Sequence, residues 1–229
     1  MRIARIHPSF FFLAVALIFA VSPSFAPAQT SIALNAYGAF TGTTTGNGVQ
    51  QSPSNQVGGL FQLRHTANPV LGFEATYSFN RADQTYSSTI LPPTCGIPCG
   101  PYIESVHVPA NAHEITADWV PSVHIANIRP FGILGVGVLL NVPSGNQTET
   151  TTNGMGSTTT TNSSSGASTS AKAVYVYGAG LDWGLIPHIG LRVQYRGNLY
   201  QAPDISKLYS STDAFTHTAE PMIGIYFRL

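Results

Sequence analysis

Few residues in this chain could do covalent or metal chemistry, and most of them stand alone. Cys95 and Cys99 lie in PPTCGIPCGP. A C-x-x-x-C spacing with no His nearby argues against zinc. In an exported chain the pair is expected to form a local disulfide, with free thiols as the alternative. His217 in FTHTAE would need a Ser on the same strand face to make a nucleophile and base, but Ala219 stands there. Thr216 and Thr218 have the opposite parity. GILGVGV (Gly132–Val138) is Gly-rich but lies within a strand pattern with no helix after it, so it is not a phosphate loop. Its glycines fit bending, or room for large neighbours. No cofactor or metal is expected, and no enzymatic activity.

The remaining chemistry is charge, and it is sparse. The chain has 10 basic and 10 acidic residues, and charged residues make up 9% of it, against about 25% in a typical soluble domain. No basic patch points to nucleic acid. Eleven of the charges fall inside alternating segments: Arg64, Glu74, Glu114, Asp118, Arg129, Lys172, Asp182, Arg192, Arg196, Glu220 and Arg228. In most of those segments the charges share one parity and large apolar residues take the other. Leu191, Val193 and Tyr195 oppose Arg192, Gln194 and Arg196. Phe73, Tyr77 and Phe79 oppose Glu74, Thr76 and Asn80. The segment around Phe131 and Ile133 is the least clear, because they share parity with Arg129.

These positions need strands to hold them. Period-two alternation predicts eight: Ser31–Thr41, Asn55–Thr66, Val70–Asn80, Pro109–Val120, Ile128–Asn141, Ala171–Trp183, His188–Tyr200 and Ala214–Leu229. The connections alternate long and short. Gly42–Ser54, Arg81–Val108, Val142–Ser170 and Gln201–Asp213 are long, whereas Ala67–Pro69, Pro121–Asn127 and Gly184–Pro187 are tight. The expected fold is therefore all-β: an eight-stranded antiparallel up-and-down transmembrane barrel, with its long loops at one end. Parity alone also fits a soluble barrel with the opposite sense, apolar inside and polar outside. Low charge, loop asymmetry and the N-terminus favour lipid outside.

The N-terminus has the form of a secretory signal peptide over residues 1–28. It has basic Arg2 and Arg5, a short apolar run FFFLAVALIFAV, and Ala26-Pro27-Ala28. Cleavage is expected before Gln29, leaving residues 29–229 as the barrel. The connection over residues 142–170 is almost all Thr, Ser, Asn and Gly and is expected to be a mobile extracellular loop. Trp119 and Trp183 fall at strand ends on the tight-turn side and, with Phe227, are expected in an aromatic girdle at that membrane interface. Phe40, Phe79, Tyr200 and Phe215 are candidates for the other girdle.

With these features in place, the chain resembles the small outer-membrane β-barrels of the opacity-protein and OmpA-transmembrane-domain type. The residues that carry the likeness are VQYRGNLYQAPD (Val193–Asp204), the terminal GIYFRL, and the strand and loop pattern. The resemblance implies insertion in the outer membrane of a Gram-negative bacterium, in contact with its lipid. It also implies recognition of the last strand by periplasmic chaperones and the barrel-assembly machinery, with Ile223, Ile225, Phe227 and Leu229 as the assembly signal. That family usually ends in an aromatic residue, whereas this sequence has Leu229. No periplasmic peptidoglycan-binding domain is expected. The expected role is structural or surface-interacting, with a ligand met through the extracellular loops. A narrow ion or solute channel is the alternative, and a lipid-modifying outer-membrane enzyme comes third.

Overall fold

The computed structural model describes residues 29–68, 70–90, 101–163 and 166–229. The proposed signal peptide and the Cys95–Cys99 pair lie outside the described residues. Fourteen strands follow in chain order among the described residues. They are β1 (Gln29–Thr41), β2 (Thr44–Gly46), β3 (Val49–Pro53), β4 (Gln56–Thr66), β5 (Gly72–Arg81), β6 (Gln84–Ile90) and β7 (Tyr102–Val108). Then come β8 (Ala110–Trp119), β9 (Ile128–Pro143), β10 (Gln147–Thr152), β11 (Thr158–Ser163), β12 (Ser170–Ile186), β13 (Ile189–Gln201) and β14 (Phe215–Arg228).

Eight of them close into a barrel in the order β1-β14-β13-β12-β9-β8-β5-β4. Every neighbouring pair is antiparallel, and the seam between β1 and β14 is sealed by pairs such as Ile32 with Phe227 and Leu34 with Ile225. These eight match the strands expected from alternation, to within a few residues at their ends. Closure leaves no unpaired edge in the barrel. Barrel strands of 10 to 17 residues exceed the 9–11 or so that a tilted strand needs to cross the hydrocarbon.

The tight turns have local causes. In the β4–β5 turn the Asn68 side-chain oxygen accepts from the backbone N–H of Val70 at 3.0 Å and of Leu71 at 2.8 Å, an Asx-type turn. β8 and β9 are joined by a bend in which Ile125 and Ile128 pair, with Ala126 at φ 51°.

The long connections are not all irregular loops. Three of them supply a second, six-stranded sheet in the order β11-β10-β7-β6-β3-β2. Even the Thr- and Ser-rich stretch expected to be mobile contains a hairpin, with Gln147 opposite Ser163 and Thr152 opposite Thr158. β10 pairs in turn with β7. Two effects outweigh the low hydrophobicity. Thr is β-branched and fits a pleated surface, and β7 supplies main-chain partners. This sheet has its own small core of Val49, Tyr86, Val106, Val108 and Ile205. Tyr86 Oη donates to Pro203 O at 2.7 Å and accepts from the Ile205 N–H at 3.2 Å, tying the fourth long connection to the sheet. Burial pushes the Tyr86 phenol pKa up.

The direction of the alternation is settled by exposure. Leu34, Phe73, Val193 and Ile223 are all more than half exposed, while Arg64, Arg192 and Arg196 are at most 1% exposed. The apolar faces point outward and the charges inward. A continuous apolar belt around a barrel is far larger than the few hundred Å² that a soluble monomer exposes, so this is a lipid-facing surface.

Candidate functional site in the barrel lumen

Strand parity places all eleven predicted charges on inward positions, but they are not one network. The group nearer the tight turns is built from β4, β5, β12 and β13, whose register sets Arg64 opposite Glu74 and Asp182 opposite Arg192. Arg64 Nε donates to Glu74 at 2.7 Å, and its Nη1 donates to Asp182 at 3.1 Å. Arg192 donates to Asp182 through Nε at 2.6 Å and Nη2 at 2.9 Å, and to Glu74 through Nη1 at 3.3 Å. Each acid thus bridges both bases. Charged hydrogen bonds of this fork geometry are the stronger kind, and buried ions need such pairing to be tolerated.

The second group centres on Arg196, farther along β13 from the turns, although Asp118 lies opposite Glu74. Arg196 Nη2 meets Glu114 at 3.1 Å and Asp118 at 3.8 Å. The same guanidinium donates to Thr76 and Thr116, and Asn198 donates to Glu114 at 2.8 Å. Glu220 is 4% exposed, but no ion pair within 4 Å joins it to a base among the described residues.

Three predicted members stand apart. Among the described residues Lys172 donates to Gln201 Oε1, at 3.4 Å, and pairs with no acid. Half-buried Arg129 donates to Ser122 and Gln29, and Arg228 donates to the Tyr226 hydroxyl at 3.0 Å. Their lumenal parity holds, but among the described residues no carboxylate lies within ion-pair distance of them, and they engage neutral groups.

Several participants were missed because alternation finds charges and not their neutral supports. Gln62 is 0% exposed. It donates to Glu74 at 2.6 Å and accepts from Asn35 at 2.7 Å and from Arg192 at 3.0 Å. The ambiguous parity of Phe131 is also resolved. Phe131 and Ile133 point inward with Arg129, and the Phe131 ring lies 4.0 Å from the Arg64 guanidinium carbon. A cation held against an aromatic face in a dry interior gains stability. Shared parity with Arg129 was the available sign.

The glycines of β9 make room for these groups. A Cβ on Gly135 would strike the Asp118 carboxylate and the Ala117 carbonyl, and one on Gly180 of β12 would strike the Phe131 ring. The expectation of space for lumen side chains thus has a geometric basis.

On the outside, Trp119, Trp183 and Phe227 are exposed near the tight-turn end, and Trp119 Nε1 donates to Val70 O at 2.7 Å. Ile223, Ile225 and Phe227 face outward along β14, and Leu229 just after it is exposed. Of the second set of aromatics, Phe40, Phe79 and Phe215 are exposed, but Tyr200 is only 7% exposed. It shares parity with Arg196 and Asn198, points inward and hydrogen-bonds Thr218 at 2.8 Å, so it is a lumen residue and not a girdle residue. His217 faces outward against Tyr177, with Nε2 2.9 Å from the phenol oxygen.

No family model and no curated protein matches this chain. Several solved structures align with most of it. Neisserial surface protein A shares 13% identity over 88% of this chain and 99% of its own, with a TM-score of 0.45. Ail, the attachment invasion locus protein of Yersinia pestis, solved with the heparin analogue sucrose octasulfate, shares 14% over 88% and 99%, with a TM-score of 0.41. The outer membrane protein OprG from Pseudomonas aeruginosa shares 12% over 88% and 96%, with a TM-score of 0.43. The fold itself is read from the strand order, the outward apolar belt and the inward charges. On those features the chain is a small eight-stranded β-barrel of the outer-membrane type.

Proposed function

We propose that this protein is a non-enzymatic barrel of the bacterial outer membrane whose work is done at the cell surface by its six-stranded loop sheet. The observation that carries this reading is the contrast between the two ends of the barrel. One end is closed by tight turns. At the other, three connections build an ordered sheet with its own core, and the side chains of β11 stand largely exposed. An ordered polar sheet is a preorganised recognition surface, which loses less entropy on binding than mobile loops do.

The lumen favours this reading over conduction. Arg64, Arg192, Gln62 and Glu74 are each at most 3% exposed and bonded to one another across the barrel, and an eight-stranded barrel has an interior that side chains fill. The expected planar-bilayer record shows no reproducible single-channel steps.

The deciding experiment compares cells that display the intact protein with cells that display a variant lacking Gln147–Ser163. Heat-modifiable gel migration checks that both barrels are folded. Adhesion is scored on immobilised extracellular-matrix proteins and on epithelial cells. Loss of adhesion with a folded barrel supports a surface-interaction role. Unchanged adhesion, or steady conductance from the intact protein, overturns it.

A further inference from the structure

The two groups of lumen charges differ in their balance. Near the turns, Arg64 and Arg192 face Glu74 and Asp182, so bases and acids are equal. Farther from the turns, fully buried Arg196 pairs with Glu114 at 3.1 Å and reaches Asp118, which lies opposite Glu74, at 3.8 Å. Glu220 lies in the field of both Arg196 and Glu114. Glu114 and Glu220 against this one guanidinium, which Asp118 also reaches, leave negative charge uncompensated, in an interior where unpaired ions are costly. Lys172 does not pair with these acids: among the described residues no carboxylate lies within 4 Å of its ammonium, which reaches Gln201 at 3.4 Å.

A cavity of about 30 Å³ lies at this point, lined in part by Glu114, Glu220, Asn198, Tyr200, Thr218 and Ser78. That is room for one small ion or water. Glu220 is 96% buried, and its Oε2 has no hydrogen-bond partner among the described residues; the same holds for the Asn198 Oδ1 atom. Unpaired buried acceptors beside a cavity in an acid-rich layer point to a positive ligand. No three His, Cys, Asp or Glu side chains among the described residues are grouped to hold a metal. The donor set is therefore two carboxylates with neutral oxygens, which suits a hard cation and not zinc.

We propose that this cavity binds one divalent hard cation, of the calcium class, between Glu220 and Glu114, with Asn198, Thr218 and Tyr200 as the neutral oxygen donors. The cation neutralises the loop-side layer and locks β8, β13 and β14 together. This goes beyond the surface role and stands independently of it.

The test uses the full chain folded in detergent, with Ca²⁺ as the probe. The temperature at which the folded gel band is lost is measured in CaCl₂ and in choline chloride at equal ionic strength, alongside calorimetric titration of Ca²⁺. Saturable binding of one Ca²⁺ per barrel is expected, with a rise on the order of 5–10 °C at saturation. Glu220→Gln should remain heat-modifiable and lose both responses. Glu104→Gln, which removes a carboxylate on β7 of the loop sheet, should keep them. Absence of a Ca²⁺ response in the wild type overturns the proposal, as does a response that survives Glu220→Gln or disappears in Glu104→Gln. A stable barrel indifferent to Ca²⁺ would mean that protons neutralise the layer instead.

Discussion

Asp182→Ala is the most direct probe of the turn-side network. Asp182 accepts from Arg192 Nε, Arg192 Nη2 and Arg64 Nη1 at 2.6, 2.9 and 3.1 Å. Its removal leaves two guanidinium groups, each at most 1% exposed, sharing Glu74 as their remaining acid. Breaking a buried pair by deleting one partner costs about 3–5 kcal/mol, which lowers the folded-to-unfolded ratio by roughly two to three and a half orders of magnitude. Outward Trp119 and Trp183 report the loss of lipid contact by fluorescence, so urea unfolding in vesicles gives the midpoint and slope. Because Arg192 and Asp182 are in contact, Asp182→Ala with Arg192→Met should cost less than the sum of the single changes. A single-variant loss below about 1 kcal/mol would place these charges in the class of exposed pairs. That result, or strict additivity in the double variant, would refute the account of a dry charge network.

Other expectations follow from the same geometry. Gly135→Val should prevent the heat-modifiable form, because its Cβ collides with Asp118 and Ala117, whereas Gly59→Ala, with open space around it, should fold normally. Phe131→Leu should lower urea stability by about 0.5–2 kcal/mol through loss of the ring beneath Arg64. Ile223→Arg puts a charge on the lipid face and should cost up to about 2–4 kcal/mol near the bilayer midplane, read by the same unfolding assay. Tyr86 keeps its proton in the folded loop sheet. Its contribution is therefore full below the unfolded phenol value near 10 and fades as pH rises past it. Limited proteolysis should cut the loop sheet faster at pH 11 than at pH 8 while sparing the barrel.

Strand existence and facing were legible because every barrel strand after β1 carries lumen charge on one face. Arg192 and Arg196 on β13 mark the lumen as soon as the sense of the alternation is known. The period alone is the same for an inside-out pattern, and low charge, loop asymmetry and the N-terminus supplied the sense that exposure bears out. Phe131 was ambiguous for a physical reason: a lumen packed around arginines also uses aromatic faces, so an apolar side chain is not always lipid-facing. The loop sheet was missed because its strands are short and mostly uncharged. Val49, Val106 and Val108, spaced as buried alternate positions, were the available sign. Gln62 and Asn198 carry no such sign, since their roles depend on partners from distant strands.

The pairing of β1 with β14 has a consequence for how the molecule can form. Ile32 meets Phe227 and Leu34 meets Ile225, so the first and last strands of the barrel are mutual partners. Any partial set of strands is an open ribbon with two sticky sides, and ribbons of that kind associate with one another. Local hairpins such as β12–β13 can form early, but the ring-closing contacts bridge nearly the whole described chain and are of the slow, non-local type. Completion therefore waits on the arrival of β14, and until then the polypeptide must be kept from its own kind.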